Sequence, residues 1–260
     1  MVSPSASAPD HEAASYGARV ADGYDAIYEG VWDTDGAVDR LVELAGDGPV
    51  LELGVGTGRI ALPLAERGLD VHGVDGSAEM LELLKAKPGG DRVTVTYGDF
   101  SETVVEGSFS LVVLLVNTIY AMADQDAQVR CFANAARHLG PGGRFVVEGW
   151  VPDPPEPGHQ RVRGRRLAKG LAGLVIEEHD PVAQTLATTQ VVLYESGQMR
   201  MFPVVHRYAW PSELDLMARL AGLTLESRWA DWHRTPFDAG SANHVSVWRQ
   251  DRPPGAAVSP

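Results

Sequence analysis

The first half of the chain alternates short apolar runs with longer amphipathic ones. PVLELGV from 49, LDVHGVDG from 69, VTVTYGD from 93, FSLVVLLVN from 109 and GRFVVEGWV from 143 have the length and β-branched content of strands. FSLVVLLVN is apolar throughout, as a central strand covered on both faces must be. Between them lie helical patterns. RIALPLAERG closes at Gly68, with Pro63 early in the helix or at a kink. SAEMLELLKAK opens at Ser77 as N-cap, with Met80 and Leu84 on its apolar stripe. DAQVRCFANAARHLG ends at Gly140, with Pro141 just after. Strand and helix in alternation predict βαβ units and a parallel sheet, whose ligands bind at the carboxyl ends of the strands.

The texture changes after Val151. PDPPEPG reads as a linker. QRVRGRRLA, GLVIEEHD, TLATTQVVLYE and MRMFPVVHRYAW read as antiparallel strands, with turns at Lys169-Gly170, at His179-Asp180-Pro181 and at Ser196-Gly197. PSELDLMARLAG reads as a helix with Ser212 at its N-cap and Gly222 at its end. LTLESRWADW and NHVSVWRQ return to the main sheet as a closing hairpin. The expected organisation is a disordered arm over 1–15, a helical lid over 16–48 and a ligand-binding core over 49–151. An inserted β lobe over 152–210, closing elements over 211–250 and a loose tail over 251–260 complete it. The fold class is α/β, Rossmann-like, with a mainly parallel seven-stranded sheet and an antiparallel β lobe.

Composition narrows the partners. The 260 residues are 44% hydrophobic and carry a formal net charge of −13. An acidic surface disfavours nucleic acid and anionic membranes, which attract basic faces. No apolar run reaches the length of a membrane span. The arm lacks the basic and apolar regions of a signal peptide, and a cytoplasmic location is expected. The single cysteine, Cys131, is read as a small core residue on a helix. A homodimer is compatible with the chain.

Chemistry concentrates in VLELGVGTGRI. Gly54, Gly56 and Gly58 are spaced G-x-G-x-G, with Glu52 just before them. A dinucleotide turn wants G-x-G-x-x-G. Close glycines and an acid suit a ligand that brings positive charge, although a tight turn with nothing bound would also use them. Asp75, ending the next strand in GVDGS, can accept two ribose hydroxyls. Asp99 and Phe100, ending the third, can accept an adenine amino group and cover its ring.

These motifs in this order, with the later HLGPGGRFVVE, resemble the class I S-adenosylmethionine-dependent methyltransferases over roughly residues 15–250. The resemblance implies that Glu52, Gly54 and Gly56 line the methionine end, that Asp75 takes the ribose, that Asp99 and Phe100 hold the adenine, and that Gly76 also binds the cofactor. Val116, ending the fourth strand, belongs to the same site. S-adenosylhomocysteine would be the product. Asn117-Thr118-Ile119-Tyr120 lacks the prolines of base- and protein-methylating relatives, and no metal is expected. Tyr24 and Tyr28, in SYGARVADGYDAIYEGVW, share a helix face and resemble the lid of actinobacterial small-molecule methyltransferases, some of which methylate deoxyaminosugars. Trp32 is read as packing.

On the acceptor side, Tyr24, Tyr28, Tyr120 and His206 are the residues expected to place the acceptor or take its proton. His206 and Tyr208 alternate onto one face of a strand, with Arg207 opposite. An unperturbed histidine there would titrate at about 6.5. His72 is read as structural, and His233 and His244 flank a loop that borders the pocket. Arg161, Arg163, Arg165 and Arg166 are read as a solvated edge strand. Trp150 and Trp210 shape a flat slot. The acceptor is expected to be a small secondary metabolite, aromatic, indole-like or a deoxyaminosugar. A non-catalytic module that only binds the cofactor would share every motif.

Overall fold

A computed structural model of the chain describes residues 32–168 and 171–251. Tyr24, Tyr28, the arm, most of the tail and the Lys169-Gly170 turn lie outside those residues. The first described helix, α1 (Thr34–Ala45), begins at Asp33, whose carboxylate accepts from the Gly36 N–H at 3.0 Å. The core then runs β1 (Val50–Leu53), α2 (Ala61–Glu66), β2 (Val71–Asp75), α3 (Ala78–Ala86), β3 (Val93–Tyr97), β4 (Phe109–Leu114), α4 (Gln125–His138) and β5 (Leu139–Trp150). After the lobe come α5 (Pro211–Leu220), β10 (Leu223–Trp229) and β11 (Asn243–Gln250).

The seven strands lie in the order β10-β11-β5-β4-β1-β2-β3. The five from β5 to β3 are parallel, and β11 runs antiparallel to both β5 and β10. The apolar strands divide their side chains by alternation. Leu51, Leu53, Val112, Leu114, Phe145 and Val147 face α4 and α5. Val50, Leu111, Val113 and Val146 face α1, α2 and α3. Phe132 of α4 is fully buried and meets Phe145 and Trp248 edge-on, at 5.1 and 5.3 Å between ring centroids. Such ring pairs add about 0.5–1.5 kcal/mol each beyond area burial. Phe132→Leu is therefore expected to cost about 1–3 kcal/mol in a urea titration; an unchanged midpoint would show that the pairs contribute nothing.

The inserted lobe is a second sheet in the order β6-β7-β8-β9, formed by β6 (Arg161–Ala168), β7 (Leu171–Asp180), β8 (Thr185–Tyr194) and β9 (Met199–Arg207). All its pairings are antiparallel. Arg207 points away from His206, as the alternation requires, and is buried against the core. It donates to Gln128 Oε1 at 2.5 Å and pairs with Glu213 at 2.6 Å, while Gln128 Nε2 donates to the Ile119 and Arg207 carbonyls. This network seats the lobe on α4 and α5.

Four local readings need correction. Gly140 does not end α4; Leu139 caps the helix and at once pairs with Phe109, so Gly140 and Pro141 belong to β5. Ser212 is not a cap either. Trp210 holds that position and Pro211 takes the first helical place, where its missing N–H costs nothing. Helix α2 is shorter than its pattern, because Arg59 and Ile60 belong to the turn before it. His179 lies within β7 rather than in a turn. Its Nδ1–H donates to the Pro155 carbonyl at 3.0 Å, and its Nε2 accepts from the Tyr208 hydroxyl at 2.8 Å. That tautomer follows because a carbonyl can only accept.

Candidate active site

The carboxyl ends of β1–β4 open onto a cavity of about 1600 Å³, with the inner face of the lobe as part of its wall. The glycine turn after β1 forms the floor. Gly54 and Gly56 have φ of 71° and 53°, the left-handed region that favours glycine. A Cβ on Gly54 would lie 2.9 Å from the Thr118 methyl, whereas one on Gly56 would meet no protein atom and would project into open space.

Asp75 organises this turn. Its Oδ2 accepts from the Gly56 N–H at 2.8 Å and its Oδ1 from the Ser77 N–H at 2.9 Å. Burial raises its pKa, and these N–H bonds oppose the rise. Gly76 continues the wall. Asp99 accepts from the Ser101 N–H at 2.8 Å and stays exposed beside the buried Phe100, and both reach the cavity. Ser77 caps α3 through Met80 N–H, as the sequence predicts.

Glu52 lies beneath the turn and outside the cavity wall. It is only 5% exposed, and its Oε2 has no hydrogen-bond partner. Burial pushes its pKa up to about 8, against the lowering influence of Arg59 and the Ala61 N–H. The folded chain thus keeps at neutral pH a proton that the unfolded chain releases near the ordinary carboxylate pKa of about 4.3. The unfolded state binds fewer protons between those two values, so stability falls as pH rises through that window. Relative to Glu52→Gln, the wild type is expected to lose stability between pH 5 and pH 8, by at most about 1.4 kcal/mol per pH unit. A difference independent of pH, read by denaturation at both ends, would contradict this.

At the end of β4, Val116 and Asn117 have φ of 52° and 63°, two consecutive non-glycine residues in the left-handed region. Val116, Asn117 and Thr118 all line the cavity. Tyr120 does not. It is fully buried behind Trp150, at 4.6 Å between ring centroids, and its hydroxyl donates to the Trp150 carbonyl at 3.0 Å. Burial raises its pKa well above the usual tyrosine value. The reading of Tyr120 as an acceptor-side group is thereby corrected: it supports Trp150 from behind. His244 lies beside it, its Nε2 3.3 Å from that hydroxyl, and burial lowers its pKa to about 3.

His206 does reach the cavity. The ring is half-buried and stands edge-on to Trp150 at 6.4 Å, and its Nδ1 is sealed from solvent without a hydrogen-bond partner. Burial pulls its pKa down to about 4, against opposing effects of the Tyr120 backbone and Glu177. The imidazole is neutral at physiological pH, which corrects the expectation of an ordinary histidine. Tyr208 shares the neighbourhood of Trp150 but is buried outside the wall.

The lobe brings a group that the pattern alone hides. Register places Arg161 opposite Glu177, and Glu177 opposite Thr188, on the inner face. Glu177 is buried; it accepts from Arg161 Nε at 2.7 Å and from Arg163 Nη2 at 2.8 Å. Burial alone would raise its pKa, but the two guanidinium groups hold it below the usual range. Arg161 and Arg163 are therefore paired wall residues of an edge strand, with Arg163 still exposed as that strand's reading expects. The side chains of Arg165 and Arg166 lie outside the described residues. Trp32 also differs from its expected packing role, because it reaches the cavity, as do Met80 and the exposed Tyr97. Cys131 and His72 are structural as expected: the thiol is fully buried, and the His72 ring bonds Thr96 at 2.8 Å.

Among the described residues, no group of three or more His, Cys, Asp and Glu side chains is placed to hold a metal ion. No described helix is long and apolar enough to cross a membrane.

Known proteins share this arrangement. A methyltransferase domain model matches residues 50–143. The structure of the CcbJ methyltransferase from Streptomyces caelestis is 41% identical, with 91% of this chain and 98% of that one covered, and superposes with a TM-score of 0.84. The cypemycin N-terminal methyltransferase of a Streptomyces species is 29% identical over 76% of this chain and 81% of its own length. S-adenosylmethionine-bound CalS10, an amino pentose methyltransferase from Micromonospora echinaspora, is 20% identical with a TM-score of 0.66 over 87% of this chain and 96% of its own, and shares the fold. Matched at 41% identity across nearly the whole of the CcbJ methyltransferase, the chain belongs to the S-adenosylmethionine-dependent methyltransferases.

Proposed function

We propose that the enzyme methylates an amine, or a comparably electron-rich centre, on a small natural product held between the core and the lobe. The observation that carries this reading is the neutral His206 on the acceptor-side wall. A base with a pKa near 4 is too weak to help an aliphatic hydroxyl much. It suffices for a nucleophile with a free lone pair whose methylated product is acidic enough to release its proton to so weak a base, as that of an aromatic amine is.

The donor side fits S-adenosylmethionine. This ligand brings an ammonium and a sulfonium, and the Asp75 carboxylate supplies negative charge at the glycine turn. The open space at Gly56 suits close approach of a ligand to the backbone. When bound, S-adenosylmethionine supplies a methyl group on an already activated leaving group. In this reading Gly54, Gly56 and Val116 border its methionine end, Asp75 and Gly76 the ribose, and Asp99 and Phe100 the adenine. The chain's own work is to orient the acceptor and exclude water. Trp150 and Trp210 offer the acceptor flat apolar surface, Thr188 and Gln190 offer hydrogen bonds, and His206 takes the proton.

The cypemycin relative is named as an N-terminal methyltransferase, and an N-terminus is an amine, which supports the nitrogen reading. The test is incubation with methyl-labelled S-adenosylmethionine and a native small-molecule extract, followed by mass spectrometry of the labelled product. Label on nitrogen is expected. Label on an aliphatic oxygen, or only on protein or nucleic acid, would overturn the proposal.

A further inference from the structure

We propose that Glu148 is a positioning residue that holds the donor-site wall in its working conformation. Glu148 lies on β5, half-buried, and is absent from the cavity wall. Its Oε2 accepts from the Val116 N–H at 3.1 Å and its Oε1 from the Trp232 indole N–H at 2.7 Å. Its backbone carbonyl accepts from the Asn117 N–H at 3.1 Å, and Asn117 Oδ1 in turn accepts from the Trp150 N–H at 2.8 Å. Glu148 thus grips the one place in the wall where two non-glycine residues in succession hold positive φ.

A β-branched residue such as Val116 leaves the left-handed region unless its surroundings hold it there. A carboxylate is a strong acceptor for that purpose, because bonds to a charged group are roughly twice as strong as neutral ones. The second oxygen ties the same wall to Trp232, a buried residue of the loop between β10 and β11. Residues 239–242 of that loop line the cavity as well. One side chain therefore contacts two parts of the wall, and the bond to Val116 is the one that shapes the donor site.

The inference rests on the use of S-adenosylmethionine and is independent of the acceptor, so its test needs no acceptor. The affinity for S-adenosylhomocysteine is measured by calorimetry on the full chain. Glutamine at 148 offers one oxygen to two N–H donors, and Glu148→Gln is expected to weaken binding by about tenfold, the loss of one charge-assisted bond. Trp232→Phe leaves the grip on Val116 intact and should bind within about threefold of wild type. The double variant Glu148→Gln/Trp232→Phe removes the competing donor and should recover to about the same level. Glu148→Gln binding as tightly as wild type, or a double variant weaker than Glu148→Gln alone, would overturn the proposal, since a purely packing role is additive. Failure of the wild type itself to bind would instead strike at the cofactor.

A second readout needs no Glu148 variant. The Trp232 indole N–H resonance, assigned by its loss in Trp232→Phe, is expected to shift when S-adenosylhomocysteine binds. A resonance unmoved at saturation would contradict the coupling of the two walls through Glu148.

Discussion

His206→Ala is expected to slow methyl transfer by roughly 10²–10⁴-fold, the usual loss when a positioned proton acceptor is removed. His206 is the one histidine, among the described residues, in the cavity wall, and its Nδ1 is sealed and unpartnered. The rest of the ring reaches the cavity, and a donor on a bound acceptor can meet it there. The affinity for S-adenosylhomocysteine should change little, because His206 stands on the lobe rather than on the strand ends of the core. His206→Asn keeps a hydrogen-bonding side chain but cannot carry a proton, so it should remain nearly as slow as alanine. The pH–rate profile should also reflect burial. The limb due to His206 should lie near pH 4, with activity gained as the pH rises through that value and the imidazole becomes neutral. A limb near pH 6–7 assigned to His206 would show that the ring is solvated in the working enzyme. An asparagine variant that retained full turnover would show that solvent takes the proton.

Asp75→Ala should be the most damaging change on the donor side, with affinity for S-adenosylhomocysteine falling roughly 10²–10³-fold. Sequence reasoning gives the carboxylate one task, accepting from ribose hydroxyls, worth about 1.5–3 kcal/mol. The structure gives it a second, because the same two oxygens anchor Gly56 N–H and Ser77 N–H. Alanine leaves both donors unpaired at the turn that must approach the ligand, and each orphaned donor costs about 1–3 kcal/mol. Asp75→Asn keeps one accepting oxygen and replaces the other with a donor, which opposes one of the N–H groups. It should fall between wild type and alanine in calorimetry. Asparagine equal to aspartate would mean that charge is unimportant there. Alanine equal to aspartate would mean that the ribose lies elsewhere.

Much of the core was legible because its signals are local. The all-apolar FSLVVLLVN could only be a central strand, and it is β4, buried on both faces. The glycine spacing, Ser77 and the strand-end Asp75 all sit where a single pass along the chain places them. What failed was of two kinds. Gly140 and Ser212 carry the usual end signals, but tertiary pairing of Leu139 with Phe109 and the rigid φ of Pro211 decided those ends. The other kind depends on register and depth. Nothing local distinguishes Arg161 and Arg163 from solvent-facing charges until β6 is aligned with Glu177 on β7. Tyr120 ends next to the right strand, yet its ring turns into the core behind Trp150. Glu148 is an acid within the locally apolar FVVEGW. That lone acid in a locally apolar stretch was the available signal; Glu177, followed by Glu178 in LVIEEHD, carries no such mark. Tyr24 and Tyr28 lie outside the described residues, so the lid remains a proposal.

The proposed reaction needs one arrangement, with the donor on the glycine turn and the acceptor opposite it under the lobe. A crystal structure with bound S-adenosylhomocysteine tests it most directly. The account predicts ribose hydroxyls on Asp75, adenine beside Asp99 and Phe100, the homocysteine end along Gly54 and Gly56, and the sulfur open towards the face that carries His206. A nucleoside seated away from Asp75, or a sulfur turned from the lobe and closed off from His206, would contradict it.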